Sequence, residues 1–190
     1  MNCTKHWIAI ALALSTSSPT HAQTKAYMDL RNAGRAEYRA GHFVAAEGIL
    51  RTALDAAAAV GDSAATGTIE NDLGDLYLDE ERSREAEQAY RNALDIFKKI
   101  SDRQFETAAI LRNLGSAYSL QRQHQDALKA LDQAGRILTG ITQDARSQAL
   151  SAEILNSKGM VFVREGNLRK QFFRGCDPGE IGGRNRRRVG

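Results

Sequence analysis

The stretches "NDLGDLYLDEERSREAEQAYRNA" (71–93) and "RNLGSAYSLQRQHQDALKALDQA" (112–134) share Leu-Gly-x-x-Tyr and then Ala-x-x-x-[Tyr/Leu]-x-x-Ala, and little else. Self-similarity at a fixed period restricts a fold more tightly than composition does, because every unit must meet its neighbour in the same way. Aligned on the small residue, four units emerge around Gly34, Gly74, Gly115 and Gly159, spaced 40, 41 and 44 residues apart. Twelve, sixteen and nineteen residues after the first three glycines stand Ala46, Leu50, Ala53; Ala86, Tyr90, Ala93; and Ala127, Leu131, Ala134.

Each unit is an amphipathic run, a polar turn and a second amphipathic run, the pattern of paired helices. The turns fall at Arg39–His42, Glu80–Ser83, Gln121–Gln125 and Arg164–Asn167. Both prolines, Pro19 and Pro178, lie outside the repeats, so no missing donor breaks a helix, and strand signals are absent. Helices approach to about 8 Å only where contact residues are small. Gly on the first helix is therefore expected to face Ala on the second, with Tyr77 and Tyr118 filling the space beside the contact. A helix pair cannot bury its apolar face alone, so the pairs are expected to stack with nearest-neighbour stability.

This pattern resembles the tetratricopeptide repeat over roughly residues 27–171, in the longer-helix variety found in kinesin light chains. The second and third units match best. The first has Glu37 in place of the aromatic, and the fourth has Gln171 where the small residue belongs. The resemblance implies an all-α, right-handed α-solenoid of antiparallel helix pairs, with three full repeats and a partial fourth. It implies further that the first helix of each pair lines a concave interaction face, at positions −6, −3, +1, +4 and +5 from each glycine. Candidate peptide-binding residues there are Arg31, Arg35, Tyr38, Arg39, Asn71, Asp75, Arg112, Ser116 and Asn156. Met28, Asp79, Ser119, Leu120, Glu153, Met160, Val163 and Arg164 share that face. Arg31, Arg35 and Arg39 recur every fourth residue as one ladder. Arg forks read carboxylates bidentately, so an acidic or C-terminal peptide is one guest for it; an exposed, solvated helix is the alternative. The Lys and Asn pattern of the family's carboxylate clamp is not reproduced.

The ends differ from the body. Residues 1–22 place Lys5 before an apolar run from Trp7 to Leu14 and close on Thr20-His21-Ala22, the pattern of a secretory signal peptide. Eight apolar residues fall short of the about 20 a membrane-spanning helix needs, so a soluble, exported chain beginning near Gln23 is expected. Without Cys3 one cysteine, Cys176, is left, and no internal disulfide can form. The net charge of +3 comes from the tail, where Arg174, Arg184, Arg186, Arg187 and Arg188 cluster. The repeat region 23–173 is close to neutral, unlike a nucleic-acid binder with a basic face. The segment 174–190 reads as a Gly/Arg-rich tail with three accounts: a disordered tail, a basic tail selected for membranes or nucleic acid, or the product of a reading-frame change that interrupts a longer array. Interruption would leave Ile154, Leu155, Val161 and Phe162 of a helix over 144–165 uncovered, and self-association through that end is expected.

No catalytic or metal constellation is present in the sequence, and no cofactor is implied. His42 and His124 fall two repeats apart in turns and read as solvated, as do Asp79-Glu80-Glu81. The glycines are spread at the repeat period rather than gathered in a phosphate-cradling loop. The expected function is that of an exported protein-interaction scaffold without catalysis. The alternative is the N-terminal regulatory repeat region of a longer exported enzyme, for example a caspase-like hydrolase.

Overall fold

The structure, a computed structural model, describes residues 21–141 and 144–166. Residues 1–20 and 167–190, with the signal peptide and the tail expected there, lie outside the described residues. Among the described residues seven helices follow one another: α1 His21–Arg39, α2 Phe43–Ala59, α3 Ser63–Asp79, α4 Ser83–Phe97, α5 Gln104–Leu120, α6 His124–Thr139 and α7 Ala145–Arg164. The fold is all-α, without strand among the described residues, and none of the described helices is long and apolar enough to cross a membrane. Two compact units divide at Ser101 and Asp102. In the first, α1/α2 and α3/α4 pair as antiparallel hairpins and α3 packs on α2; in the second, α5/α6 form a hairpin and α7 packs on both.

The hairpin turns share one backbone solution. Gly41, Glu81 and Arg122 take φ of 80°, 60° and 61°, and the next amide donates to a carbonyl five residues back: His42 to Glu37, Arg82 to Tyr77 and Gln123 to Tyr118, at 3.0, 2.8 and 2.9 Å. This left-handed closure satisfies carbonyls that a helix C-terminus leaves free. α7 ends similarly, with Gly166 at φ 71° donating to Val163.

Alanine is the expected partner of the repeat glycines, and Ala127 does present its carbonyl 3.3 Å from where a Cβ on Gly115 would lie, but the nearest group at each of the first three is a large side chain. A Cβ on Gly34 would lie 2.8 Å from Leu50 Cγ, on Gly74 2.4 Å from the Tyr90 ring, and on Gly115 2.8 Å from Leu131 Cγ. The missing side chain makes a notch for the large residue sixteen positions on. The alanines at twelve and nineteen, all fully buried, flank it. Tyr77 and Tyr118 are buried beside this contact as expected. Gly159 has open space within 4 Å. The end helix is better covered than its sequence suggests, because α5 and α6 bury Ile154 and Val161 to 2% and 1% exposure; Leu155, at 68%, remains outside.

Polar clamps lock the first unit. Glu47 on α2 accepts from Arg82 in the α3–α4 turn at 2.8 Å, from the Tyr77 hydroxyl on α3 at 2.9 Å and from Arg51 at 2.9 Å. The Arg82 guanidinium also lies 4.4 Å over the Tyr77 ring. Arg82 first, then Tyr77 and Arg51, hold the Glu47 carboxyl at about 2, against partial burial that acts the other way. Asp62 caps α3 by accepting from the Ala65 amide and also receives the hydroxyl of Tyr27 on α1. In the second unit Asp144 caps α7 through the Ser147 amide at 2.8 Å, and Arg146 stacks 4.1 Å from the Phe105 ring centre.

Two outcomes follow from the notch and the clamp. Gly74→Ala presses a methyl into the rigid, fully buried Tyr90 ring and should cost about 1 to 3 kcal/mol. Gly159→Ala meets open space and should gain about 0.5 to 1 kcal/mol from backbone entropy; urea melts of both variants check the pair. Because the folded Glu47 pKa lies below its ordinary 4.5, its contribution is complete above that value and disappears as pH falls toward about 2. Acid titration of unfolding should therefore be shallower in Glu47→Gln than in the wild type across that window.

Candidate peptide-binding face

The first helices of the pairs carry the candidate residues, and the two units treat them differently. In the first unit the Arg ladder is already engaged. Arg31 Nε donates to Asp72 Oδ2 and its Nη2 reaches Oδ1 at 3.3 Å, while Arg35 lies 4.0 Å from the same carboxylate. Asp72 sits on α3 two positions before the Gly74 notch and is 9% exposed. Arg39 is exposed and does not join this cluster. The ladder seen in the sequence is therefore split into an interhelical lock and one surface cation.

Tyr38 closes the same row. Its hydroxyl donates to Asp79, and its ring packs against Phe43 with centroids 6.0 Å apart. Burial, and then the bond to Asp79, push the hydroxyl pKa up, so the group acts as a donor at every physiological pH. Asp75 accepts from the Tyr90 hydroxyl at 2.8 Å, which ties it to the hairpin partner α4. Asn71 is half-buried. Apart from the exposed Met28 and Arg39, the face of the first unit is thus largely polar and engaged within the unit.

The second unit leaves more of its face available. Arg112 stands where Arg31 does relative to its glycine, but Ser157 occupies the position equivalent to Asp72. Arg112 instead reaches one turn back on α7 to Glu153 at 2.8 Å, and its buried Nε has no hydrogen-bond partner. Ser116 is half-buried, its hydroxyl 3.4 Å from the Arg112 carbonyl, and Asn156 is exposed. Around them Leu120, Met160 and Val163 are 40%, 49% and 51% exposed. An apolar group surrounded by polar side chains is what a recognition surface presents.

Three features escaped the reading of the sequence. Asp72 was legible only as a charge beside a core glycine, because its arginines lie one repeat away. Asp79 and Glu80, expected to be solvated, take Tyr38 and Arg82 respectively. His42 fits the solvated reading, its ring exposed and 2.7 Å from Glu37. His124 does not: it opens α6 half-buried, with Nδ1 buried and unpartnered.

Comparison with known proteins supplies a frame for this geometry. A family model described as tetratricopeptide repeat matches residues 25–99 and 66–139, more than half of the chain. No curated protein gives a significant match. Among solved structures, the crystal structure of BtubC (BKLC) from P. vanneervenii superposes with a TM-score of 0.68 at 19% identity, covering 86% of this chain and 68% of that one. At that identity the likeness concerns the fold alone.

If Asp72 is the lock described, Asp72→Ala should destabilise the protein by about 1.5 to 3 kcal/mol through loss of charge-assisted hydrogen bonds. Arg39→Ala should stay within about 0.5 kcal/mol. Chemical denaturation of the two variants measures the difference.

Proposed function

From the premise that this chain belongs to the tetratricopeptide repeat family, we propose that it is an exported interaction scaffold that holds a peptide segment, without turnover, on its first-helix face. The observation that carries this reading is the exposure of Leu120, Met160 and Val163 on α5 and α7, beside Ser116 and Asn156. Apolar anchors give a peptide buried area, methionine adapts to its shape, and the polar residues around them set its register. The guest is therefore an amphipathic segment with apolar anchors. Arg31 and Arg35 of the first unit are held by Asp72, which argues against a purely acidic guest there.

Export is supported by the leader pattern. Cleavage after Ala22 would leave the buried part of α1, from Tyr27 onward, intact. Self-association is supported by the free side of α7, where Leu155 is exposed and the Gly159 notch is open.

Selection of peptides from a random display library tests the scaffold reading. Selected peptides should lose at least about tenfold in affinity, equivalent to about 1.4 kcal/mol, in a Leu120→Asp, Val163→Asp double variant. They should be unaffected by Val44→Asp on α2, which is as exposed as any apolar residue described. Failure to select any peptide, or equal binding by both variants, would overturn the reading.

A further inference from the structure

Beside this face, the second unit contains a cavity of about 410 Å³ lined by Ser119, Leu120, Arg122, His124 and Arg164. The repeat register supplies its counterpart in the first unit. Counted from Gly115 and Gly159, those five positions correspond to Tyr38, Arg39, Gly41, Phe43 and Asp79 counted from Gly34 and Gly74. In the first unit the Tyr38 and Phe43 rings pack together and Tyr38 donates to Asp79. In the second, Ser119 and His124 replace the two aromatics and the space stays open. The acid at the far side has become Arg164, which donates to the Ser119 hydroxyl at 3.1 Å. The same place in the repeat has lost its two aromatics and carries two arginines where the first unit has one arginine and one aspartate.

Among the described residues, no carboxylate compensates the charges that line it. Neither Arg122 nor Arg164 has a carboxylate partner among the described residues, and Asp126, in the first turn of α6, is taken by Lys129 at 3.0 Å. Arg122 is not demanded by its turn, since Gly41 and Glu81 close the equivalent turns with the same backbone. An Arg held at φ 61° is a conformation for which glycine would be less strained. His124 adds a buried Nδ1 without a hydrogen-bond partner. Two guanidinium forks, a hydroxyl and an imidazole around one cavity match a tetrahedral oxyanion with two negative charges and several acceptor oxygens.

We propose that this cavity is a phosphoryl-binding site, formed by Arg122 and Arg164 with Ser119 and His124. The group it takes is either free phosphate or the phosphoryl of a phosphorylated peptide. The forks are spent on one dianion, and filling the cavity with aromatics, as the first unit does, abolishes it. The inference stands apart from the peptide-binding reading, since selected peptides can bind the Leu120 and Val163 face whether or not phosphate binds here.

Inorganic phosphate is titrated into the full chain at constant ionic strength, with acetate as the control anion, and read by calorimetry and by amide chemical shifts. Saturable binding with Kd below about 1 mM, with the shifts centred on Ser119, Arg122 and His124, is expected. Arg122→Gln and Arg164→Gln should each weaken it at least about tenfold. The double variant Ser119→Tyr, His124→Phe, which carries the side chains of the first unit, should eliminate it while circular dichroism stays helical. A phosphoserine peptide that binds at least about tenfold more tightly than both phosphate and its unphosphorylated counterpart identifies a phosphorylated partner; no gain over phosphate identifies the free ion as the ligand. Absence of saturable phosphate binding, equal displacement by acetate, or unchanged affinity in a folded Arg164→Gln protein would overturn the proposal.

Discussion

A glycine seated against a large side chain is the contact from which each helix pair is built. At Gly74 the Tyr90 ring occupies space that any Cβ would need, and Leu50 and Leu131 do the same at Gly34 and Gly115. Small residues alone would bring the backbones together with little to bury. A notch that admits one large apolar side chain gives close approach and dense packing at once. The positions of the flanking alanines, the buried tyrosines and the hairpin turns all follow from keeping that side chain opposite its notch.

Most of this register was legible because it is local. Helical periodicity, the glycine spacing and the buried alanines at twelve and nineteen are properties of single stretches of chain. The filler at sixteen was harder to assign, because Leu50, Tyr90 and Leu131 look like any other apolar residue on an amphipathic helix. Partnerships between repeats were not legible at all: Glu47 draws on Tyr77 and Arg82, 30 and 35 residues away, and Arg31 finds Asp72 at a separation of 41. No short pattern records such a bond.

The candidate face shows the same division. Its positions follow from helical geometry and the repeat register, whereas its chemistry depends on which charges meet inside each unit. Asp72 turns Arg31 and Arg35 into structural residues, while Ser157, at the matching position in α7, leaves Arg112 to find Glu153 instead. The cavity beside His124 exists because two aromatics of the first unit are absent from the second. That contrast is visible only after the repeats have been laid over one another.

The helix starts carry a consequence for the order of folding events. Asp62 and Asp144 cap α3 and α7 through local side-chain bonds, whereas α2, α4 and α6 have no side-chain cap and begin directly from the left-handed turn. A capped helix can nucleate on its own stretch of chain, but an uncapped one gains its first turn only when the preceding helix has ended and the reversal has closed. The reversal at the head of each hairpin is thus closed by bonds that span at most five residues. Reversals closed by bonds this local carry little loop-closure entropy, so the same turns that orient the side chains of the face are also where each hairpin can begin to form.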